Sequence, residues 1–272
     1  MARERILITV KTYPVISKKY GELVCTAGLR ADGSWVRLYP VPFRLLDYPN
    51  RYRKFDWIET DLAKSRKDRR PESYHPRDEI EVVGHVDAAD KWRERRRLVL
   101  GKCKVYDRLK PLLDGAKKNS LSLAVFKPIE IVDLLCKEAE PEWPLDKIEA
   151  MKAREDQGEL FAGGEDWRKS FKLMPKVPWK FSYTFKDAVG SQSTLQILDW
   201  EIFQLYWNCL KRVGGDQKAA LEKVKEKYIG HFRKKDLHLF LGTMLEHHQR
   251  STNPWSIIGV LPIPRQMQME LL

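Results

Sequence analysis

The sequence predicts an α+β fold. Three observations lead there: short strand-like runs punctuated by turn residues fill the first half, two capped amphipathic helices follow a hairpin in the second half, and no regular βαβ alternation points to a doubly wound parallel sheet. The N-terminal part is expected to be β-rich, with hairpins able to curl into a small barrel-like sheet. The C-terminal part is expected to combine a hairpin, two helices and closing strands.

Arg5 to Val10 alternate as a strand, and Leu23 to Gly28 and Ser34 to Tyr39 form two more runs about Ala31-Asp32-Gly33. Asp-Gly between β-compatible runs signals a hairpin, because glycine accepts the positive φ that a tight turn demands. Pro40 and Pro42 stop the second run, and Lys54 to Leu62 and Glu79 to Val86 offer further strands. Lys91 to Leu100 reads as a basic helix, and Val105 to Lys118 as a weaker helix interrupted by Pro111. Leu121 to Phe126 and Ile129 to Leu135 look extended.

In the second half, Phe181 to Phe185 and Thr194 to Leu198 pair across a turn. Asp199 then caps a helix whose apolar residues Ile202, Leu205, Tyr206, Cys209 and Val213 share a face, ending at Gly214-Gly215, and Asp216 caps the next. Leu237 to Met244 and Trp255 to Ile263 close as strands. Between Lys137 and Lys172 the composition turns to Glu, Asp, Lys, Pro and Gly. Three regions are therefore expected: a β-rich basic domain over 1–136, a polar connector over 137–172, and an α+β domain over 173–272.

Fifty lysines and arginines against 38 aspartates and glutamates leave a formal charge of +12, which favours a polyanionic partner. From Lys11 to Tyr74 the bases are interleaved with aromatic residues, a mixture suited to gripping phosphates and stacking on a base. Arg44, Arg51, Arg53, Lys54, Arg66, Lys67, Arg69 and Arg70 are the candidates for phosphate contact, with Arg95, Arg96 and Arg97 as a second patch. Tyr13, Tyr20, Tyr39, Tyr74, Trp35 and Trp57 are rings able to stack on a base; the alternative for each is a place in the core. Double-stranded DNA is the expected partner, with RNA as the alternative. Cys25, Cys103, Cys136 and Cys209 form no C-x-x-C pair and read as reduced, mostly buried thiols of a cytoplasmic protein. No run approaches the roughly 18 apolar residues that span a bilayer, and no export signal precedes the first strand, so no membrane partner is expected.

Several chemistries are discounted by spacing. The chain has no G-x-x-x-x-G-K-[ST] or G-x-G-x-x-G loop and no H-x-E with P-C-x-x-C deaminase pattern, and His247-His248 lacks a ligand partner at helical spacing. Neither a metal nor an organic cofactor is expected. What remains is carboxylate chemistry. Glu22 precedes the apolar run LVCTAG, where it can enter the lip of a pocket or pair with Lys18, Lys19 or Arg37. Glu72, in the turn RPESY, is the second candidate, with a surface ion pair as its alternative; Asp199 is the third, with helix capping as its alternative. Tyr20, Tyr74 and Arg70 are the candidates for base-pocket contacts.

KTYP at 11–14, SKKYGELVCTAG at 17–28, GSWVRLYPVPF at 33–43, RPESY at 70–74, FKP at 126–128, DWEIFQLYWNCLKR at 199–212 and FLGT at 240–243 carry a resemblance that spans nearly the whole chain. The chain resembles the bacterial anti-phage DNA glycosylase family that excises α-glucosylated hydroxymethylcytosine from phage DNA. The resemblance implies hydrolysis of an N-glycosidic bond, leaving an abasic site as an antiviral defence, and assigns no residue a role. Such an enzyme turns the nucleotide out of the stack, stabilises an oxocarbenium-like sugar with an ionised carboxylate, and aids departure of the base with a donor. Read from the residues alone, a non-catalytic module that binds modified DNA and recruits an effector fits the same pattern.

Overall fold

A computed structural model describes residues 3–17, 21–156 and 173–265. Its first sheet contains β1 (Glu4–Lys11), β2 (Val15–Ser17), β3 (Gly21–Leu29), β4 (Trp35–Val41), β5 (Asp56–Thr60), β6 (Leu62–Lys64), β7 (Ser73–Pro76) and β8 (Glu81–His85). They run in the order β6-β7-β4-β3-β1-β5-β8, with β2 added on β3, and the sheet curls strongly into a half-barrel. The second sheet contains β9 (Val105–Tyr106), β10 (Leu123–Phe126), β11 (Glu130–Glu138), β12 (Trp179–Lys186), β13 (Gln192–Ile197), β14 (Asp236–Thr243) and β15 (Trp255–Ile263). Its order is β11-β12-β13-β15-β14-β10-β9, mixed in direction because β9 joins β10 and β13 joins β15 in parallel. The α+β class holds: a curled N-terminal sheet is followed by a mixed sheet with helices.

The centre of the first sheet is β1, whose residues from Ile6 to Val10 are all buried. Strand alternation sends Ile6 and Ile8 into the half-barrel core with Val24, Val36 and Leu38. Leu7 faces the other way, into a core shared with Val125, Phe240, Ile258 and Leu261 of the second sheet. A register irregularity between Ile8 and Val10 breaks the alternation, and Val10 joins Leu7 in that shared core. The β3–β4 hairpin turns where Asp-Gly places it: Gly33 has φ +87, and a Cβ there would lie 2.6 Å from the Lys102 carbonyl oxygen.

The helices are α1 (Ala89–Val99), α2 (Lys110–Lys117), α3 (Leu145–Asp156), α4 (Trp200–Arg212) and α5 (Gln217–Lys225). The Asp199 carboxylate accepts from the Glu201 N–H at the start of α4, and that of Asp216 from the Ala219 N–H at the start of α5. Ile202, Phe203, Tyr206 and Cys209 bury one face of α4, which ends at Gly214 and Gly215, both with positive φ. A π turn at Glu226–His231 follows α5. Pro111 does not interrupt a helix. It sits in the first turn of α2, where its missing N–H has no intrahelical partner to lose, and Val105 and Tyr106 pair as a strand instead. Among the described residues no helix is long and apolar enough to cross a membrane.

The sheets part earlier in the chain than the composition does. Residues 105–136, expected with the first region, supply β9, β10 and most of β11 to the second sheet, because their pairing partners are β12 and β14. Of the expected connector, residues 137–156 hold the end of β11 and α3, and 157–172 lie outside the described residues. The four cysteines are unpaired, and only Cys209 is fully buried; the other three are half-buried, so the expectation of mostly buried thiols is corrected.

One carboxylate joins the two sheets. Asp199, fully buried, accepts from Val260 of β15 (2.9 Å) and from the Lys54 ammonium beside β5 (2.7 Å), while its backbone bridges Thr12 after β1. Asp199→Ala leaves the Lys54 charge buried beside only Glu201, removes the cap of α4 and frees the Val260 N–H. A loss of about 3–5 kcal/mol is expected in urea unfolding. A loss below about 1 kcal/mol would contradict this role.

Candidate nucleic-acid interface

The loop between β6 and β7 carries four bases in five residues, Arg66 to Arg70, and a buried pair fixes it. Arg70 donates to Asp68 through Nε (2.9 Å) and Nη2 (2.6 Å), and its Nη1 donates to the Thr243 carbonyl at the end of β14. Ser73 Oγ adds a hydrogen bond to Asp68 Oδ2 at 2.8 Å. Burial opposes ionisation of Asp68, but the hydrogen bonds and charge of Arg70 prevail and hold its carboxyl down to about 2. Around this anchored pair Arg66, Lys67 and Arg69 are exposed.

A second buried arginine lies beside the first. Arg37 is 1 % exposed and donates to Ser122 Oγ (2.7 Å), Ser122 O (2.9 Å) and Ser73 Oγ (3.3 Å). Burial, with the charge of Arg70 adding to it, lowers its guanidinium to about 10. Glu72 accepts from the Ser122 N–H (3.1 Å) and Ser122 Oγ (2.5 Å), so it ties the same loop to β10.

Arg37 and Arg70 border a cavity of about 340 Å³ between the two sheets. This lies at the lower end of the roughly 300–1,000 Å³ typical of small-ligand sites. Its walls include five aromatic residues, Tyr13, Tyr39, Trp143, Trp179 and Phe203. Tyr13 and Phe203 pack with centroids 4.6 Å apart, and the Tyr13 hydroxyl donates to Pro175 O (2.6 Å) while accepting from Trp207 Nε1 (3.1 Å). Thr243 also lines the cavity, and its buried hydroxyl has no partner among the described residues. The described lining contains basic and neutral polar groups but no Asp or Glu.

Two wider depressions adjoin the cavity. One shares Val15, Tyr39, Arg70, Met244 and Leu245 with it and adds Lys67, Arg69, Lys147 and Arg250. The other shares Tyr39 and Leu245 and adds Lys64, Arg66 and Arg77. An aromatic pocket thus opens into a basic surface, an arrangement able to seat an unstacked base with its phosphates outside.

The three candidate carboxylates lie apart. Glu22, on β3, accepts from Arg44 (2.8 Å) and from the Met174 N–H (3.1 Å), next to the Pro175 carbonyl that Tyr13 holds. Among the described residues its ion pair is with Arg44 and not Arg37, and Lys18 and Lys19 lie outside them. Burial raises its carboxyl above the usual range, against the pull of the Met174 N–H and of Arg44. Glu72 is held by Ser122, beside the buried Arg37. Asp199 sits in the partition between this cavity and a second cleft: Leu198 and Phe203 border the first, Trp200 and Glu201 the second. Burial raises the Asp199 carboxyl above the usual range, against the pull of the Lys54 ammonium.

The expected basic residues divide among several places. Arg66, Lys67, Arg69 and Arg70 converge on the pocket and its surroundings. Arg51 donates to Leu46 O and Arg44 O, bracing a loop, and Lys54 is buried against Asp199 and Glu201. Arg53 lies exposed beside Asp56. The 95–97 run is split by helical rotation: Arg95 stacks on Phe55, Arg96 pairs with Asp236 and Arg97 with Glu94. Tyr74 lies between Lys64 and Arg30, away from the pocket lining; Tyr20 is outside the described residues. Trp35 and Trp57 pack against the core between the sheets. Trp143, Trp179 and Phe203 were not singled out by sequence, since nothing local distinguishes a pocket ring from a core ring.

Residues 106–272 match the family described as domain of unknown function DUF8757. The chain belongs to the DUF8757 family. Residues 2–101 match a second, DUF8758, so the two matches meet where the sheets part. No curated protein matches the chain. Among solved structures, a murine DNA binding protein bound with double-stranded DNA aligns over 98% of this chain and 100% of its own, at 8% identity and a TM-score of 0.32. The DUF8757 region supplies Trp143, Trp179, Phe203 and Thr243 to the pocket, and the DUF8758 region supplies Tyr13, Arg37, Tyr39 and Arg70. Among the described residues no group of three or more His, Cys, Asp or Glu is placed to hold a metal ion.

Lys11 lies near the same partition, with its ammonium 4.0 Å from the Phe43 ring centroid and 4.7 Å from that of Trp200. Burial, then the charge of Lys54, lowers it to about 8. The folded state binds this proton less tightly than the unfolded chain, so Lys11 favours folding increasingly as pH rises from about 8 toward the ordinary lysine value near 10.4. Reductive methylation mapped by mass spectrometry across pH is expected to give Lys11 a midpoint near 8. Labelling of Lys11 only in step with exposed lysines would contradict it.

Proposed function

We propose that the protein is a DNA glycosylase that draws a bulky modified cytosine out of the duplex into the aromatic pocket and hydrolyses its N-glycosidic bond. One observation carries the reading: a ring-walled cavity of about 340 Å³ opens beside Lys67, Arg69 and Arg70 on a basic surface. Leaving the stack costs a few kcal/mol, and stacking of the base on an aromatic side chain offsets about 1–3 kcal/mol of it. The unpartnered Thr243 hydroxyl and the cationic Lys176 and Lys180 give a polar substituent groups to meet. The resemblance to glycosylases of glucosylated hydroxymethylcytosine points to a sugar-bearing cytosine as that substrate, and to an abasic site in phage DNA as the outcome.

Glu22 is the carboxylate best suited to the chemistry. Its neighbour Tyr13 borders the cavity, as does Lys176, two residues beyond the Met174 N–H from which Glu22 accepts; burial raises its carboxyl above the usual range, and in its ionised form it would orient and deprotonate water. Arg37 and Arg70 supply positive charge that favours a departing anionic base. A second reading rests on a specific feature: with no Asp or Glu in the described lining, the pocket equally suits a non-catalytic reader that holds a modified base and recruits an effector.

Incubation with duplex DNA containing glucosylated hydroxymethylcytosine, followed by mass spectrometry of free base and an abasic-site assay, decides between them. Release is expected from modified and not from unmodified DNA, and Glu22→Gln is expected to slow it by about 10²-fold or more. Lys67→Glu with Arg69→Glu should weaken duplex binding and flatten its salt dependence. Tight binding without release would leave the reader and remove the enzyme.

A further inference from the structure

The second cleft, across the Asp199 partition, has a construction of its own. Its volume is about 750 Å³, and α1, α4, the π turn and the end of β15 enclose it. Five lysines and arginines line it, Arg53, Lys54, Arg95, Lys227 and Lys235, against the single carboxylate of Glu201. Lys54 is buried and pairs with Asp199 as well as with Glu201, so the accessible charge comes from Arg53, Arg95, Lys227 and Lys235 against Glu201 and is positive.

Aromatic groups stand among these charges. Arg95 lies 4.1 Å from the Phe55 ring centroid and 5.0 Å from that of Trp92, and the two rings meet edge to face at 6.0 Å. The Arg95 Nε–H donates to Val86 O at 2.9 Å, which fixes the guanidinium against them. Trp92 remains half-buried, so part of its ring is free to meet a ligand.

Backbone conformation makes this arrangement more than incidental. Phe55 has φ 69, and Asp90, Lys91 and Trp92 form a left-handed run with φ 46, 50 and 67. Non-glycine residues in that region are disfavoured, and bulky ones most of all. Hydrogen bonds from Phe55 N to Ile8 O and from Val86 N to Phe55 O hold the first of them in place. Unfavourable backbone that the surrounding structure over-determines gathers at ligand sites. Here both strained segments deliver aromatic side chains to one basic cleft.

The cleft also continues outward. Phe232 and Lys235 are shared with a neighbouring depression of about 850 Å³, which adds Arg96, Lys127, Arg233 and Arg265 against Glu130 and Asp236, the latter pairing with Arg96 and Lys127. Together they form a basic track longer than one nucleotide needs. The outer depression lies at the Asp236 end of β14, about 24 Å from the Thr243 end at a rise of about 3.4 Å per residue, while the cleft itself adjoins the base pocket through the Asp199 partition.

We infer that this cleft is a separate site for single-stranded nucleic acid, with a base stacked on Trp92 beside Arg95 and the phosphates running past Arg53 and Lys227 toward Lys235 and Arg233. Stacking platforms flanked by basic grooves bind single strands with little sequence preference.

The test uses the full chain and unmodified oligonucleotides, and measures no base release, so its result is independent of the glycosylase reading. In fluorescence anisotropy with a labelled oligothymidylate, Trp92→Ala is expected to weaken binding about tenfold. The exposed Lys227→Glu, which leaves the core intact, should weaken it and lower its salt dependence. Bromodeoxyuridine crosslinking should mark the peptide that carries Trp92. Competition by oligothymidylate and by oligouridylate distinguishes a DNA strand from an RNA strand, and competition by either supports the site. Wild-type affinity in both variants, or crosslinks confined to the 65–70 loop, would overturn it.

Discussion

A single buried carboxylate organises this molecule. Asp199 starts α4, accepts from the backbone of β15, and neutralises Lys54, which reaches it from the half-barrel. An unpaired charge at this depth would cost several kcal/mol, so Lys54 and Asp199 are held to each other, and the sheets that carry them are held in register. The same link governs its surroundings. Lys54 raises the field at Lys11 and helps to lower that ammonium, and the bridge from Asp199 to Thr12 closes the wall between two cavities.

Arginine burial performs the matching task on the other side of the wall. Arg37 and Arg70 are nearly inaccessible, yet each is supplied with acceptors from both sheets or from the anchored loop. Guanidinium tolerates this because its planar donors can be satisfied one by one while its charge stays delocalised. The result is a firm polar margin to an otherwise ring-walled cavity. The exposed Arg66, Lys67 and Arg69 then project from a loop whose position is set by buried partners, so their charge is presented at a defined place.

Positive charge is consequently not spread evenly. It gathers on the two sides of the Asp199 partition, once around an enclosed aromatic pocket and once along an open track with a strained tryptophan. An enclosed pocket suits one extruded group, whereas an open track suits a strand.

Local signals were enough for much of the fold. Asp32-Gly33, the caps Asp199 and Asp216, and Gly214-Gly215 are read correctly because turn and cap chemistry acts within a few residues. Pro111 and the 105–136 segment were misplaced because a helix start and a strand partner depend on neighbours distant in sequence. The candidate site divides in the same way. Composition and spacing determined a basic, aromatic α+β chain and named eleven candidate bases, of which Arg66, Lys67, Arg69 and Arg70 are the ones the fold gathers at the pocket. Only the tertiary structure decided that Lys54 is buried, that Arg95, Arg96 and Arg97 point to different partners, and that Trp143, Trp179 and Phe203 meet Tyr13 around one cavity. Those outcomes rest on which strands pair and which face a helix turns inward, contacts that sequence proximity does not encode.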